Sequence, residues 1–128
     1  MSDRSLLDSS VILSILGQED GYEAAIPFLD NASISSVNYA EIVAKLSERR
    51  FPDAAIDLML DQFQLRILPF DAAAARRAGL LRSLTLDAGL SLGDRACLAV
   101  AIESGLRVVT ADRAWAAVDC GVDIRVIR

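Results

Sequence analysis

The feature that most constrains the fold is an alternation of short apolar runs with longer segments of helical periodicity. Five short runs predict buried strands, namely RSLLD, ASISS, LRILP, LRVVTAD and DIRVI. Most of the segments between them have the apolar spacing of helices. Strands that alternate with helices are typical of a parallel sheet covered on both faces, so we expect an α/β fold.

Capping and breaking residues refine the predicted helices. Ser9 or Ser10 can cap a first helix that Gly17 ends, and Pro52 is well placed at the first position of another. Pro27 predicts a kink or break in the helix that contains it. After the first helix, the predicted helices are DGYEAAIPFLD, VNYAEIVAKLSERR, PDAAIDLMLDQF, DAAAARRAGLLRSL, DRACLAVAIESG and RAWAAVDCG, with TLDAGLSLG as a loop.

Length and segment composition bound the class of protein. A chain of 128 residues with no linker rich in Gly, Ser or Pro predicts a single domain, residues 1–128. No apolar segment reaches the ~18 residues of a membrane span, and the N-terminal residues lack a signal-peptide pattern, so we expect a soluble cytoplasmic protein. Cys97 and Cys120 have no metal-binding spacing, and we expect two small buried hydrophobic residues.

The charged residues restrict the possible chemistry. The chain contains no histidine, which excludes imidazole acid–base catalysis, so any catalysis must use carboxylates, hydroxyls, arginine or a metal ion. The net charge of −5 disfavours nonspecific binding of nucleic acid. Twelve of the bases are arginine, however, and these can still form a local cationic patch.

Four acidic residues fall at or near the junctions that lead into helices. Asp8 ends the first strand, Glu41 lies near the start of the helix after the second, Asp94 opens a buried helix, and Asp112 follows the fourth strand. The carboxyl ends of parallel strands share one edge, so these side chains meet if the strand order allows it. A carboxylate cluster without His or Cys suits Mg²⁺ or Mn²⁺, and such an ion would compensate the charge of Asp8 within its apolar run.

Helix capping is the alternative role for each of these acids. The spacing from Ser91 to Asp94 fits a capping box, and so does the spacing from Asn38 to Glu41. The other two acids can each serve as an N-cap residue. The spacing alone leaves the capping and metal-binding interpretations open, and the two are compatible because helix N-termini favour anionic side chains.

Four segments of the chain also resemble a known family. In order and spacing, LLDSSVIL, ISSVNYAEI, LSLGDRACLAVA and VVTADRAW are similar to the PIN-domain ribonucleases, especially the VapC-type toxins of bacterial toxin–antitoxin pairs. The resemblance covers essentially the whole chain and implies a three-layer α/β/α sandwich with a central, mostly parallel sheet, usually as a homodimer. It also implies a magnesium- or manganese-dependent endoribonuclease that leaves a 5′-phosphate and is held inactive by an antitoxin.

The resemblance implies that this chain has the acidic site of the family, in which four acids act as catalytic residues and metal ligands. They are Asp8, Glu41, Asp94 and Asp112. Thr110 matches a hydroxyl position that often supports the family's site, and Ser9 is a further candidate for a supporting role. Magnesium usually takes few direct protein ligands, so we expect Asp8 and Asp94 to bind it directly and the other two acids to complete the shell or hold a second ion.

The implied partners are an RNA substrate, a cognate antitoxin and a second copy of the chain. Apolar residues on two neighbouring helices predict an interface for one of the protein partners. They are Val43, Leu46, Phe51, Ile56, Leu58 and Met59. Several arginines are candidates for RNA contacts, with a solvated surface charge or a helical ion pair as the alternative for each. Arg95 and Arg113 each follow a site acid, and the others, on predicted helices, are Arg49, Arg50, Arg76 and Arg77. We expect Trp115 in the core rather than stacked on a base.

Three other functions compete with the ribonuclease. A receiver-type phosphorylation domain needs paired acids early and a lysine near them, whereas Lys45 lies inside a predicted helix. A phosphatase with an aspartyl nucleophile needs a second acid where Ser10 stands. A non-catalytic interaction module would use the acids only as helix caps, and titration with Mg²⁺ or Mn²⁺ distinguishes it from an enzyme.

Overall fold

Five short strands and six α-helices make up the computed structural model, which describes residues 4–128. The N-terminal residues 1–3, which belong to the segment expected to lack a signal pattern, lie outside this range. The strands are β1 (Ser5–Leu7), β2 (Ser33–Ser35), β3 (Arg66–Leu68), β4 (Arg107–Thr110) and β5 (Ile124–Val126). The helices are α1 (Ser9–Leu16), α2 (Ser36–Glu48), α3 (Asp53–Asp61), α4 (Ala72–Leu80), α5 (Arg82–Thr85) and α6 (Leu92–Ser104).

The five strands form one sheet in the order β3-β2-β1-β4-β5, and every neighbouring pair is parallel. Leu6 of β1 is in register with Ser33 of β2 on one side and with Val108 of β4 on the other. The chain therefore leaves β1 in one direction for β2 and β3, and returns to the other side of β1 for β4 and β5. Such a reversal is a topological switch point, where the carboxyl ends of the strands open a crevice.

Consecutive residues of the central strand face opposite sides of the sheet. Leu6 packs with Val108, Trp115 and the apolar faces of α4 and α6, whereas Leu7 packs with Ile34 and with α1, α2 and α3. Both leucines are fully buried. Because successive side chains of a strand alternate in direction, a doubly buried strand is a continuous apolar run, which is how β1 appears in the sequence. The predicted three-layer α/β/α arrangement is confirmed.

Several predicted elements differ in detail from the observed ones. The segment around Pro27 is a 3₁₀-helix (Tyr22–Phe28), and the segment after β4 is a second one (Arg113–Ala117). The long helix predicted from Asp71 is divided at Leu81 into α4 and α5. Helix α6 begins at Leu92, so the prediction that Asp94 opens this helix is wrong by two residues.

The start of α1 also differs from the prediction. Asp8 occupies the N-cap position, so Ser9 and Ser10 lie inside the helix and cap nothing. Their hydroxyl groups are free to contact other side chains at the edge of the sheet. Pro52 similarly occupies the N-cap position of α3 rather than its first helical position.

The predicted core residues are mostly confirmed. Trp115 and Cys97 are fully buried, while Cys120 is half-buried, and both cysteines are free thiols. No helix within residues 4–128 combines the length and apolar character that crossing a membrane requires.

The apolar residues assigned to an interface on α2 and α3 belong largely to the domain itself. Leu46 and Ile56 are buried in the core, and Val43 and Met59 are half-buried against it. Of the set, only Phe51 and Leu58 are exposed, Leu58 to 74%. The predicted surplus of apolar surface on these helices was therefore too large.

Candidate active site

The four acids selected from the sequence lie at the carboxyl edge of the sheet, around the switch point. Asp8 directly follows β1, and Asp112 follows β4 by two residues. Glu41 lies in the second turn of α2, and Asp94 is the third residue of α6. Burial is the main cause that raises the pKa of Asp8 and of Asp94, and repulsion between carboxylates adds to it. Asp94 and Glu41 act on Asp8 in this way, and Asp112 and Glu41 act on Asp94. The four carboxylates therefore belong to one electrostatic site.

Asp8 is the most strongly perturbed of these acids. Its side chain is only 4% exposed, and this burial is the main cause that raises its pKa from 3.8 to about 6. Two hydroxyl groups oppose the shift: Ser10 Oγ donates to Asp8 Oδ2 at 2.6 Å and Thr110 Oγ1 donates to the same atom at 2.9 Å. The carboxylate makes no side-chain capping bond, so capping does not account for Asp8.

Thr110 connects Asp8 to the segment that carries Asp112. Its hydroxyl is fully buried, donates to Asp8 Oδ2 and accepts from the backbone N–H of Asp112 at 3.1 Å. Ser10 makes a parallel connection, because its hydroxyl accepts from the N–H of Ala111 at 3.0 Å while it donates to Asp8. The carboxylate at the end of β1 is thus held by both α1 and the end of β4.

Glu41 is held over the start of α6 by a buried amide. Asn38 Nδ2 donates to Glu41 Oε1 at 2.8 Å and to the carbonyl oxygen of Gly93 at 3.1 Å. Asn38 is fully buried, and Ser9 Oγ adds a bond of 3.1 Å to Glu41 Oε1. The carboxylate lies so close to Gly93 that a Cβ at this glycine would be 2.1 Å from Glu41 Oε2.

The capping box predicted between Asn38 and Glu41 is wrong. Ser35 is the N-cap of α2 and accepts from the N–H of Asn38 at 3.1 Å. The helix therefore begins earlier than the predicted cap, and the Asn38 side chain is available to bond Glu41. Ser35 Oγ in turn donates to Asn38 Oδ1 at 2.5 Å, which fixes the orientation of the amide.

The capping role predicted for Asp94 is confirmed. Asp94 Oδ2 accepts from the N–H of Ser91 at 2.9 Å, and the N–H of Asp94 donates to Ser91 Oγ at 3.2 Å. Burial raises the pKa of Asp94 more than these bonds to Ser91 lower it, and the neighbouring carboxylates raise it further. Capping and membership of the acidic site therefore coexist in this residue.

Asp112 is likewise a helix cap at the edge of the site. Its Oδ1 accepts from the N–H of Ala114 at 2.9 Å, at the start of the 3₁₀-helix. The residue is exposed, in contrast to Asp8. The carboxylate thus faces solvent beside the buried one rather than sharing its apolar surroundings.

The four carboxylates share an edge without forming a closed coordination set. Within residues 4–128, no three His, Cys, Asp or Glu side chains converge closely enough to hold a metal ion. Each acid instead takes donors nearby: two hydroxyls on Asp8, an amide and a hydroxyl on Glu41, and backbone N–H groups on the other two. Their predicted role as metal ligands stays a prediction.

Sequence reasoning missed two residues that build this site. Asn38 was assigned to a cap, and Gly93 received no role, although together they hold Glu41 in place. The available signal was a polar residue one helical turn before Glu41 and a glycine directly before Asp94. Of the arginines that follow site acids, Arg95 is half-buried and donates from Nη1 to the carbonyl oxygen of Ala78 at 3.0 Å, so it connects α6 to α4.

The fold and the site together define a class: a three-layer parallel α/β protein with acidic side chains at the carboxyl edge of its sheet, around a topological switch point. Comparison with family models gives the more specific assignment. Residues 5–120 match the PIN domain, and the chain belongs to this family, as the resemblance of its motifs predicted. Membership excludes the receiver and aspartyl-phosphatase alternatives.

Solved structures similar to this chain include toxin–antitoxin complexes. A DNA-bound VapBC complex from Salmonella typhimurium matches with a TM-score of 0.74 and 22% identity, over 98% of both chains. VapBC-5 of Mycobacterium tuberculosis, a member of the VapBC family of toxin–antitoxin systems, matches with a TM-score of 0.63 and 28% identity, also over 98% of both. FitAcB of Neisseria gonorrhoeae matches with a TM-score of 0.66 and 22% identity, over 94% of this chain and 96% of that one. Comparison with curated protein sequences gives no match.

Proposed function

We propose that this chain is a metal-dependent endoribonuclease and the toxin of a two-component toxin–antitoxin system. Support comes from its membership of the PIN family and from the toxin–antitoxin complexes among the structures that it resembles. PIN domains of the VapC type are nucleases, and the crevice at the switch point supplies the carboxylates that such a reaction uses. The substrate that we assign to it is the phosphodiester backbone of RNA.

The observation that carries the proposal is the position of Asp8. Its carboxylate is buried at the end of the central strand, in electrostatic contact with Glu41 and Asp94. Burying a carboxylate beside two others costs folding free energy, which a purely structural residue would avoid. A cation bound at this point would offset that cost.

The donor set fits a hard divalent ion. All four candidate ligands are carboxylates, and oxygen ligands are those that Mg²⁺ and Mn²⁺ prefer. Both hydrogen bonds to Asp8 fall on Oδ2, and within residues 4–128 no such bond falls on Oδ1. Asp8 and Asp94 would hold the ion directly, with Glu41 and Asp112 completing the site. A bound ion would lower the pKa of a water molecule and polarise a phosphoryl oxygen.

The residues of the chain prepare this site in two ways. Ser10 and Thr110 hydrogen-bond the ionised form of Asp8, which keeps a deeply buried acid available in its charged state. Asn38 holds the Glu41 carboxylate over the start of α6. The proposal assigns these three residues to positioning and the four acids to catalysis.

The partner assigned by this proposal is an antitoxin that binds the domain and blocks cleavage. A homodimer of the chain, which the family resemblance implies, belongs to the same proposal. Exposed apolar side chains available to such partners include Phe51 and Leu58 on the α2–α3 side and Leu80, Leu84 and Leu92 on the α4–α6 side.

Cleavage of single-stranded RNA by the purified chain tests the nuclease directly. With Mg²⁺ or Mn²⁺ we expect fragments with 5′-phosphate ends, no cleavage in EDTA, and recovery when Mn²⁺ is added in excess. Asp8→Asn and Asp94→Asn should each abolish cleavage, because each removes a charged ligand. The matched control is Asp57→Asn, the same change at an exposed acid of α3, which should cleave like the parent.

Two results would contradict the proposed mechanism. Cleavage that survives both Asp8→Asn and Asp94→Asn refutes the site, and cleavage unaffected by EDTA refutes the metal. If the parent binds neither Mg²⁺ nor Mn²⁺ in calorimetry and cleaves no RNA, the domain is an interaction module whose acids only cap helices. The capping bonds of Asp94 and Asp112 are the observation that favours this second candidate.

Expression in a bacterial host tests the toxin role separately. The parent chain should arrest growth when it is expressed without a partner, and the Asp8→Asn form should be harmless. A harmless parent that nevertheless cleaves RNA in vitro would remove the toxin assignment and leave the nuclease intact.

A further inference from the structure

An open groove adjoins the acidic site on the side of α1. It runs between α1, the C-terminal half of α2, the start of the second 3₁₀-helix and the C-terminus of the chain. Four cationic side chains line it, namely Lys45, Arg49, Arg113 and Arg128. Two acids, Glu19 and Asp112, also line it, so the lining has a net charge of +2 in a chain whose net charge is −5.

Two of these cations already have carboxylate partners. Lys45 Nζ lies 3.7 Å from Glu48, and Arg128 pairs with Glu19, which also lines the groove. Arg49 and Arg113 have no carboxylate within 4.0 Å among residues 4–128, and both are exposed. These two arginines are therefore the cations of the groove that form no salt bridge among the described residues.

The groove is continuous with the acidic site. Asp112 lines the groove and is itself one of the four acids, and Arg113 follows it directly. Ser10 also lines the groove and donates to Asp8 Oδ2 at 2.6 Å. A ligand in the groove would thus contact the same residues that border the buried carboxylate.

The spacing along α2 leads from the acidic site into the groove. Glu41, Lys45 and Arg49 are four residues apart, so they lie along one face of the helix. At a rise of about 1.5 Å per residue, Arg49 lies ~12 Å along the helix from Glu41. Arg49 is therefore on the same face as Glu41 but at the far end of the helix, where it could contact a part of a bound strand that neighbours the acidic site.

We infer that this groove binds the phosphate backbone of single-stranded RNA next to the bond that is cut, with Arg49 and Arg113 as the phosphate contacts. The inference rests on the proposed nuclease function and explains how an acidic protein positions a polyanion. Arginine side chains bind phosphate oxygens in pairs of parallel hydrogen bonds, and a cationic groove that follows the backbone is a common means of binding single strands. RNA is favoured over an acidic peptide because the groove opens onto the acids where a phosphodiester must lie.

Binding of a fluorescein-labelled single-stranded RNA of mixed sequence tests the groove. The full chain with Asp8→Asn serves as the background, so that the RNA is not consumed. Adding Arg49→Gln and Arg113→Gln should weaken binding about tenfold or more and reduce the slope of log K against log salt by about 1.4, since each lost single-strand contact removes about 0.7. Arg49→Lys with Arg113→Lys should retain most of the slope, because the charges remain.

The matched control is Arg76→Gln with Arg82→Gln, which removes the same charge from exposed arginines on α4 and α5. We expect RNA affinity and salt slope within about twofold of the background for this pair. We call Arg49→Gln with Arg113→Gln the groove pair. Introduced into the active parent, the groove pair should raise KM while kcat at saturating RNA changes little, as a positioning role requires. Thermal midpoints of all variants verify folding.

Different results would contradict the proposed role of the groove and the proposed nuclease function. RNA binding and salt slope unchanged by the groove pair, in a parent that cleaves RNA, would overturn the groove alone. Equal losses in the groove and control pairs would also overturn it, because net charge would then explain the effect. If Arg49→Gln with Arg113→Gln abolished binding of a poly-glutamate peptide and left RNA binding intact, the groove would be a binding site for an acidic peptide and not for RNA. A parent that cleaves no RNA would refute the nuclease itself.

Discussion

The carboxylate of Glu41 lies against the backbone of Gly93, so closely that a Cβ there would be 2.1 Å from Glu41 Oε2. Because Gly93 has no side chain, the carboxylate of Glu41, in the second turn of α2, can lie against the start of α6. Asn38 secures the same contact, because its amide bonds both the Glu41 carboxylate and the Gly93 carbonyl. A backbone position thus sets the place of an acid that is 52 residues away in the sequence.

Replacing Gly93 by alanine should therefore displace Glu41. We expect Gly93→Ala to lower kcat by at least tenfold and to leave the domain folded, because the Glu41 side chain can rotate into solvent while the backbone of α6 is retained. RNA cleavage at saturating Mn²⁺, together with circular dichroism, measures both effects.

Gly79→Ala is the matched control for that change. Gly79 lies within α4, and a methyl group added there would meet no other atom within 4 Å. Alanine at this position should therefore stabilise the helix by about 0.5–1 kcal/mol and leave cleavage unchanged. Full activity in Gly93→Ala would show that the contact with Glu41 has no functional consequence.

The parallel α/β architecture could be predicted because its signals are local. Strands β1 and β4 are buried on both faces and therefore contain consecutive apolar residues, Leu6–Leu7 and Val108–Val109. Gly105 ends α6 in the left-handed conformation that glycine favours. The segment around Pro27 is a 3₁₀-helix, whereas its spacing predicted a helix with a kink or break, since the apolar spacing over one or two turns does not distinguish the two types of helix.

The candidate site was only partly predictable. The edge position of Asp8 follows from the strand that precedes it, but the roles of Asn38 and Gly93 depend on how α2 packs against α6, which no local pattern encodes. Capping and metal binding require the same residue types at the same places, and for this reason the spacing around Asp94 left both open. The cationic groove brings together α1, α2 and the last residue of the chain, so it exists only in the folded domain.

The raised pKa of Asp8 makes the stability of the metal-free domain depend on pH. The folded state binds this proton more tightly than the unfolded state, whose carboxyl has its ordinary pKa of 3.8 against about 6 in the fold. The contribution of Asp8 to stability is therefore fully present below about pH 4 and is lost as the pH rises through 6. A difference of ~2 pKa units corresponds to about 3 kcal/mol.

Asp8→Asn should remove this loss. In urea unfolding with EDTA, we expect the variant to match the parent near pH 4 and to exceed it by up to ~3 kcal/mol at pH 8, because no charge is then buried. The control Asp57→Asn, at an exposed position, should follow the parent at every pH. If the stability of the parent relative to Asp8→Asn instead increased from pH 4 to pH 8, the sign would be the opposite of the one expected. The buried charge of Asp8 would then not be the cause of the pH dependence.

Divalent ions should offset the same repulsion. Mn²⁺ or Mg²⁺ at about 100 times its Kd should stabilise the parent by about 2.7 kcal/mol, since it binds only the folded state. The increase in melting temperature should be larger at pH 8 than at pH 5, because protonation of Asp8 competes with the ion. Equal increases in the parent and in Asp8→Asn would place the ion elsewhere.

The hydroxyl of Thr110 offers a test of how Asp8 is kept charged. Thr110→Val preserves the shape of the side chain but removes the donor to Asp8 Oδ2 and the acceptor for the Asp112 N–H, so at pH 8 we expect a loss of about 1–3 kcal/mol and a further rise in the pKa of Asp8. Thr110→Ser keeps the hydroxyl and should retain most of the stability and the cleavage activity. Carboxyl-resolved NMR titration measures the pKa, and an unchanged value in Thr110→Val would mean that Ser10 alone holds the ionised carboxylate.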